Sequence, residues 1–299
     1  MILVFLQKYS NFKNMISTKT ISKKIKYLLS ASLLFINLFN YINAQDDLFN
    51  NPVDHAVGRT GALTIDSWSH FSNPSGISDI NEITAGIGYN RLFDVKEFDS
   101  KSALCIIPTK LINIGAGYVY YGFELFNIQR INLSAARNIA PWCKMGMRFN
   151  YLVQRDIYAE KISIFTLDAG LQLKTSEKTA LGFYAVNPMA VKWKLPDWEQ
   201  YQTSYLAAAF LYEPVNELSF EAGIIKNMKL DHEFSFSLNV PIYDKIILRG
   251  AVMSNPIRLG LGGGFKWKPI KLDIAVNHHS VLGFSSSFGL LFSIPKGKK

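Results

Sequence analysis

Along most of the chain, apolar and polar residues alternate with a period of two. In Leu230–Val240, Phe234, Phe236, Leu238 and Val240 are apolar, while Asp231, Glu233, Ser235, Ser237 and Asn239 between them are polar. Trp142–Val153 sets Cys143, Met145, Met147, Phe149, Tyr151 and Val153 against Lys144, Gly146, Arg148 and Asn150. Ile257–Trp267 and Ile270–Asn277 repeat the pattern. Successive side chains of a strand point to opposite faces. Each segment therefore predicts a strand with an apolar medium on one side and a wet one on the other.

About fourteen such runs follow one another, starting near Ile83, Ser102, Ile112, Leu125, Trp142, Ile162, Thr179, Tyr201, Glu217, Lys229, Lys245, Ile257, Ile270 and Val281. Terse connections such as Lys174–Lys178, Glu213–Asn216 and Ser254–Pro256 separate them. After Gln45 no apolar run reaches the roughly 18 residues that a membrane helix needs. The fold class expected is all-β: a transmembrane antiparallel β-barrel of about 14 strands over residues 83–293. Strand pairs with polar insides, apolar outsides and aromatic ends suit such a barrel; Tyr118, Tyr120, Tyr121, Trp142, Tyr151 and Trp267 supply the aromatics. An exported β-sandwich alternates too, but the long strands, unbroken apolar faces and only 18% charged residues weigh against it.

Charge changes the picture at the N-terminus. The net charge is +9, yet residues 1–44 hold lysines 8, 13, 19, 23, 24 and 26 and no acid. The remainder is nearly balanced and shows no basic stripe, so nucleic acid is excluded as a partner. Lys19–Lys26, the apolar Tyr27–Phe39 and Asn40–Ala44 read as a signal peptide over 1–44, cleaved after Ala44, with Met15 as an alternative start. No Cys follows that site, which argues against a lipoprotein.

With both termini in the periplasm, connections near Pro108, Ala140, Ser176, Val215, Ile242 and Pro269 are the inner turns. Phe93–Lys101 and Asn187–Gln200 then face outward, the second carrying Trp193 and Trp198. Arg148, Asp168, Glu221, Glu233, Arg249, Arg258 and Asp273 fall on lumen faces, with mixed signs that form no selective ring. Gly260–Trp267 (GLGGGFKW) lacks the Lys-Ser/Thr and helix of a phosphate loop and is read as lumen clearance. Adjacent His278 and His279 point to opposite faces, His232 has no catalytic company, and Cys105 and Cys143 lie on non-adjacent strands. Neither an enzyme nor a metal, cofactor or disulfide is expected.

Gly58–Ile77 (GRTGALTIDSWSHFSNPSGI) places spaced small residues before Asn73, Pro74, Ser75 and Gly76. It resembles the N-terminal pattern of FadL-type transporters and of the PorV/PorQ-type barrels of Bacteroidota, with Ser75 where Ala is usual. Leu111–Leu152 is similar to that family's third to fifth strands, and Lys271–Phe292 resembles its closing hairpin. The resemblance implies an outer-membrane barrel whose segment 45–82 is a plug, followed at the far end by a basic tail, 294–299. It implies outer-membrane lipid as a partner and two functions. The first is a structural or accessory part of type IX secretion that docks secretion-system or exported proteins through Trp193 and Trp198. The alternative is passive transport of small hydrophobic solutes, with an apolar pocket beside the plug near Trp68, Phe71 and Pro74.

Overall fold

A computed structural model describes residues 51–57, 60–194, 199–215, 218–227, 232–242 and 245–294. The expected signal peptide lies outside them, and of the expected basic tail only Ile294 lies within.

The wall begins with β1 (Ile83–Arg91), β2 (Asp99–Pro108), β3 (Asn113–Gly122), β4 (Phe126–Ala140), β5 (Cys143–Asp156), β6 (Ala159–Lys174) and β7 (Thr179–Val186). A small hairpin, β8 (Lys192–Lys194) and β9 (Glu199–Tyr201), stands apart. The wall resumes with β10 (Tyr205–Val215), β11 (Leu218–Asn227), β12 (Glu233–Ile242) and β13 (Ile246–Met253). It ends with β14 (Arg258–Trp267), β15 (Ile270–His279) and β16 (Gly283–Ile294). Every wall strand pairs antiparallel with its sequence neighbours, and β1 closes on β16 from Ile83↔Ile294 to Arg91↔Ser286. The result is a closed barrel of fourteen strands without an open edge, the only β architecture that leaves no unpaired backbone in lipid. Expected and observed strand starts coincide at Ile83, Thr179 and Ile270 and differ most, by four residues, at β10 (Tyr201 against Tyr205) and β12 (Lys229 against Glu233).

The period of two sorts the faces as expected. On β5, Met145, Met147 and Phe149 are exposed, whereas Arg148 and Asn150 are buried in the lumen. On β12, Phe234 and Phe236 face out, and Glu233, Ser235 and Ser237 face in. We call the end carrying Ile83 and Ile294 the inner end. Trp142 and Trp267 stand exposed at that rim, where amphipathic rings suit a membrane interface. Tyr121, expected in the same belt, turns inward instead and stacks on Phe98, with ring centroids 6.4 Å apart.

Residues 51–57 and 60–82 run inside the barrel. Helix α1 (Pro52–Val57) packs against β12–β16, and two 3-10 turns follow, Ser67–His70 and Pro74–Asp79. Trp68, His70, Asn73, Ser75 and Ile77 of this segment are completely buried.

Candidate functional site: the plug and the lumen wall

The plug meets wall strands at positions where the wall has no side chain. A Cβ on Gly146 would stand 2.5 Å from Ser75 N and 2.7 Å from Pro74 O. One on Gly115 would meet His70 Nδ1 at 2.6 Å, and one on Gly260 would meet His55 O at 2.8 Å. Gly170 lies against Asn73, Gly182 against Ala62, Gly223 against Thr60, and Gly289 against Trp68. Lumen glycines on strands all round the barrel thus allow close backbone approach. GLGGGFKW belongs to this set, since Gly260 and Gly262 face α1 at His55 and Ala56.

The Asn73-Pro74-Ser75-Gly76 turn has a physical account at each position. Asn73 Oδ1 caps the turn by accepting from Ser75 N (3.1 Å) and Ser75 Oγ (2.7 Å). Its Nδ2 donates to Ala62 O at 2.7 Å, which ties two passes of the plug together. Pro74 occupies the first helical position, where its missing N–H costs nothing. Any Cβ on Gly76 would run into Thr64 O and Ser69. The Ser75 hydroxyl is buried but satisfied, because it finds Asn73.

Hydrogen bonds from nearly every side then hold the plug. Thr60 Oγ1 donates to Glu221 Oε1 (2.7 Å), and Trp68 Nε1 donates to Asp273 Oδ2 (3.0 Å). Asn113 Nδ2 reaches the carbonyls of Ile77 (2.8 Å) and Ile80 (2.7 Å). Gln172 Nε2 donates to Ala62 O at 3.0 Å. At the inner mouth Lys144 Nζ meets Asp79 Oδ2 at 2.5 Å, and Lys271 Nζ meets both Asp66 and Asp273 at 3.0 Å. Burial alone would raise the Asp79 pKa, but the hydrogen bonds from Lys144 and Asn138 hold it below the usual carboxylate value.

Sequence reasoning missed His70. Its Nδ1 accepts from Ser134 Oγ (2.7 Å) and its Nε2 donates to Asn132 Oδ1 (2.5 Å). The order serine, histidine, amide matches that of a hydrolytic triad. All three side chains are buried, however, with His70 wedged over Gly115 and Gly117, so the string works as a tether for the plug. The available signal was Asn132 and Ser134 at spacing two, on one face of β4. His232 is exposed in the outer connection 228–232.

The lumen charges named from the sequence are buried, and six of the seven form ion pairs, one between adjacent strands and two across an intervening strand. Arg148 pairs with Asp168 at 2.7 Å and Arg249 with Asp273 at 2.9 Å, while Arg258 pairs with Glu233. Registers Arg148↔Asp168 on β5–β6 and Gly264↔Asp273 on β14–β15 create these meetings. Arg148 Nη1 also donates to the His70 carbonyl of the plug.

The outer connection 187–204 contradicts one expectation. Trp193 is not presented to a partner: it is 3% exposed, packs on Leu152 and Ile164, and donates from Nε1 to Gln202 Oε1 at 2.8 Å. The connection folds inward because its apolar residues find the lumen faces of β5 and β6, which stand taller than β7. Trp198 lies outside the described residues. Trp68 and Phe71, expected beside an apolar pocket, instead fill a cluster with Ile77, Leu104 and Ile106.

An open apolar groove of about 490 Å³ lies on the outer face of the wall across β5, β6, β7, β10 and β11. Small residues Ala169, Gly170, Ala185, Ala207 and Ala208 form much of it, between Met145, Phe183 and Leu206. Here the β6–β7 ladder ends at Ala169↔Ala185, although β6 continues to Ala159. Gly170, Tyr184 and Ala207 are buried on the lumen side, while Phe183 and Leu206 face out. Among the described residues no cluster of His, Cys, Asp and Glu is arranged to hold a metal ion.

No known family profile matches the chain, and no curated protein matches it by sequence. Its structure is similar to the TodX deltaS2S3 mutant monoaromatic hydrocarbon channel, with a TM-score of 0.62 at 10% identity over 83% of this chain and 99% of that one. It is also similar to the Pseudomonas putida toluene transporter TodX (0.57, 9%, 82% and 97%) and to a Pseudomonas aeruginosa FadL homologue (0.57, 11%, 82% and 97%). At such low identity the likeness is one of architecture. In fold, the chain is a closed fourteen-stranded antiparallel β-barrel similar to those proteins.

Proposed function

We propose that the protein is a passive channel for small, uncharged, apolar solutes. The observation that carries this reading is an open apolar groove of about 490 Å³ in the wall, lined mainly by outward-facing apolar residues with Gly170, Tyr184 and Ala207 of the lumen side behind them. Binding sites for small ligands are concavities of this size and lining. The structural relatives include a toluene transporter and a monoaromatic hydrocarbon channel, which gives the same direction. Outer-membrane lipid is the medium for the exposed apolar belt. The reading as an accessory of type IX secretion, or as a PorV/PorQ-type barrel, has less support: its docking residue Trp193 is buried.

The test is initial uptake of radiolabelled toluene by cells whose outer leaflet is lipopolysaccharide and which lack channels of their own for it. Expression of the chain raises uptake, and Ala208→Phe, which fills the groove from one wall, returns it towards background. Uptake equal to that of the empty host, with the barrel folded and inserted, sinks the reading. Loss of secreted proteins from a deletion strain would revive the alternative.

A further inference from the structure

We propose that the Asp168–Arg148 pair is a latch through which the outer connection 187–204 holds the plug in its seat. The inference deepens the channel reading and rests on it, since a latch matters only where the lumen opens.

Both carboxylate oxygens of Asp168 are committed, in opposite directions. Oδ1 accepts the backbone N–H of Asn187, the first residue of the outer connection, at 2.9 Å. Oδ2 accepts from Arg148 Nε at 2.9 Å and from Asn150 Nδ2 at 2.8 Å. Arg148 then passes the contact inward by donating Nη1 to the carbonyl of His70 in the plug. Asp168 and Arg148 are each 1% exposed, so water is excluded from the whole chain of contacts.

The connection acts on Asp168 as a unit because Asn187 closes it. Asn187 adopts a left-handed backbone conformation (φ 45°), which Asn tolerates better than most residues. Its Oδ1 accepts from Val191 N (3.1 Å), its Nδ2 donates to Gln202 O (3.2 Å), and its carbonyl accepts from Ser204 Oγ (2.8 Å). Both ends of the connection are therefore gathered on the residue that holds Asp168. Its far part is pinned by Trp193 against Leu152 and Ile164.

A buried ion pair is stable only while every remaining polar group is satisfied. Displacing Trp193 loosens the connection and withdraws the Asn187 N–H from Asp168. The pair then rearranges or admits water, and the His70 carbonyl loses its arginine. Asp168 and Arg148 are thus positioning residues for the plug.

The experiment reads plug exposure without any transported solute, so its failure leaves the uptake test intact. Cys105 and Cys143 are replaced by Ala, Ser72→Cys is introduced in the plug, and its labelling by a membrane-impermeant maleimide is timed at one pH. Folding of each variant is checked by heat-modifiable gel migration. Trp193→Ala, which alters no plug residue, raises the labelling rate about tenfold, within the usual range for coupled sites. Asp168→Asn does the same, and the double variant gains little more, because both act on one linkage. Lys271→Met, which frees Asp66 of the plug by another route, combines additively with Trp193→Ala. If Trp193→Ala leaves labelling unchanged, or if it adds in full to Asp168→Asn, the outer connection does not hold the plug through this pair.

Discussion

His70 is a plug residue, not part of any spanning strand, and it is held neutral. Burial, with the charges of Arg148 and Arg130 nearby, lowers its pKa from 6.5 to about 3, against the opposing hydrogen bond to Asn132. Once withdrawn into water the imidazole regains its ordinary affinity for a proton. The withdrawn state therefore binds more protons between pH 6.5 and about 3. Over that window the seated plug loses stability as pH falls, by up to about 1.4 kcal/mol per pH unit; above pH 6.5 the contribution is fully present. Asp54 works in the opposite sense. Burial first, then the charges of Asp66 and Glu221, push its carboxyl well above the carboxylate range, which favours the seated, protonated form on acidification. The difference between wild type and His70→Gln isolates the histidine. Opening frequency in planar bilayers should climb more steeply between pH 6.5 and 5 for wild type than for His70→Gln. Equal slopes would refute the assignment.

At the scale of the element, the Asn73–Gly76 turn separates a structural amide from a dispensable hydroxyl. Asn73→Ala removes the cap and the tie to Ala62 O, a loss of about 1–2 kcal/mol by analogy with helix caps. Ser75→Ala deletes a hydroxyl that bonds only to Asn73, and its effect on plug labelling should be small. A large effect of Ser75→Ala together with a small one of Asn73→Ala would contradict the geometry. Elements of the wall were legible because a strand between lipid and a polar lumen must alternate, and no competing force acts on that pattern. Lumen faces followed for the same reason, which is why Arg148, Asp168, Arg249 and Asp273 could be placed before their partners were known. Their pairing depends on register and was not legible. Hairpin β8–β9 escaped because three-residue strands carry no period. Trp193 was misjudged because a loop tryptophan reads as exposed until the unequal heights of β6 and β7 offer it a cleft. His70 found its partners through contacts more than sixty positions away, and no local pattern records those.

For the whole molecule, two facts set the electrical behaviour. Residues 51–57 and 60–82 lie across the lumen with Trp68, His70, Asn73, Ser75 and Ile77 fully buried, and Arg148–Asp168, Arg249–Asp273 and Arg258–Glu233 pair off within the wall. The first predicts that the intact protein in a planar bilayer is nearly silent at neutral pH. The second predicts what happens when the plug is removed, either by deleting residues 51–80 or by releasing it with urea while the wall stays folded. The lumen should then conduct with little preference between cations and anions, since paired charges of both signs form no ring of one sign. Strong ion selectivity of the unplugged barrel would mean that the wall pairs dissolve without the plug. Steady conductance of the intact chain would mean that the plug does not seal. Silence is compatible with the proposed function: an apolar solute moving along an apolar groove needs no continuous column of water, whereas an ion does. Uptake of toluene by a barrel that carries no current would therefore join two observations, a plug buried in the lumen and an apolar groove in the wall, in one mechanism.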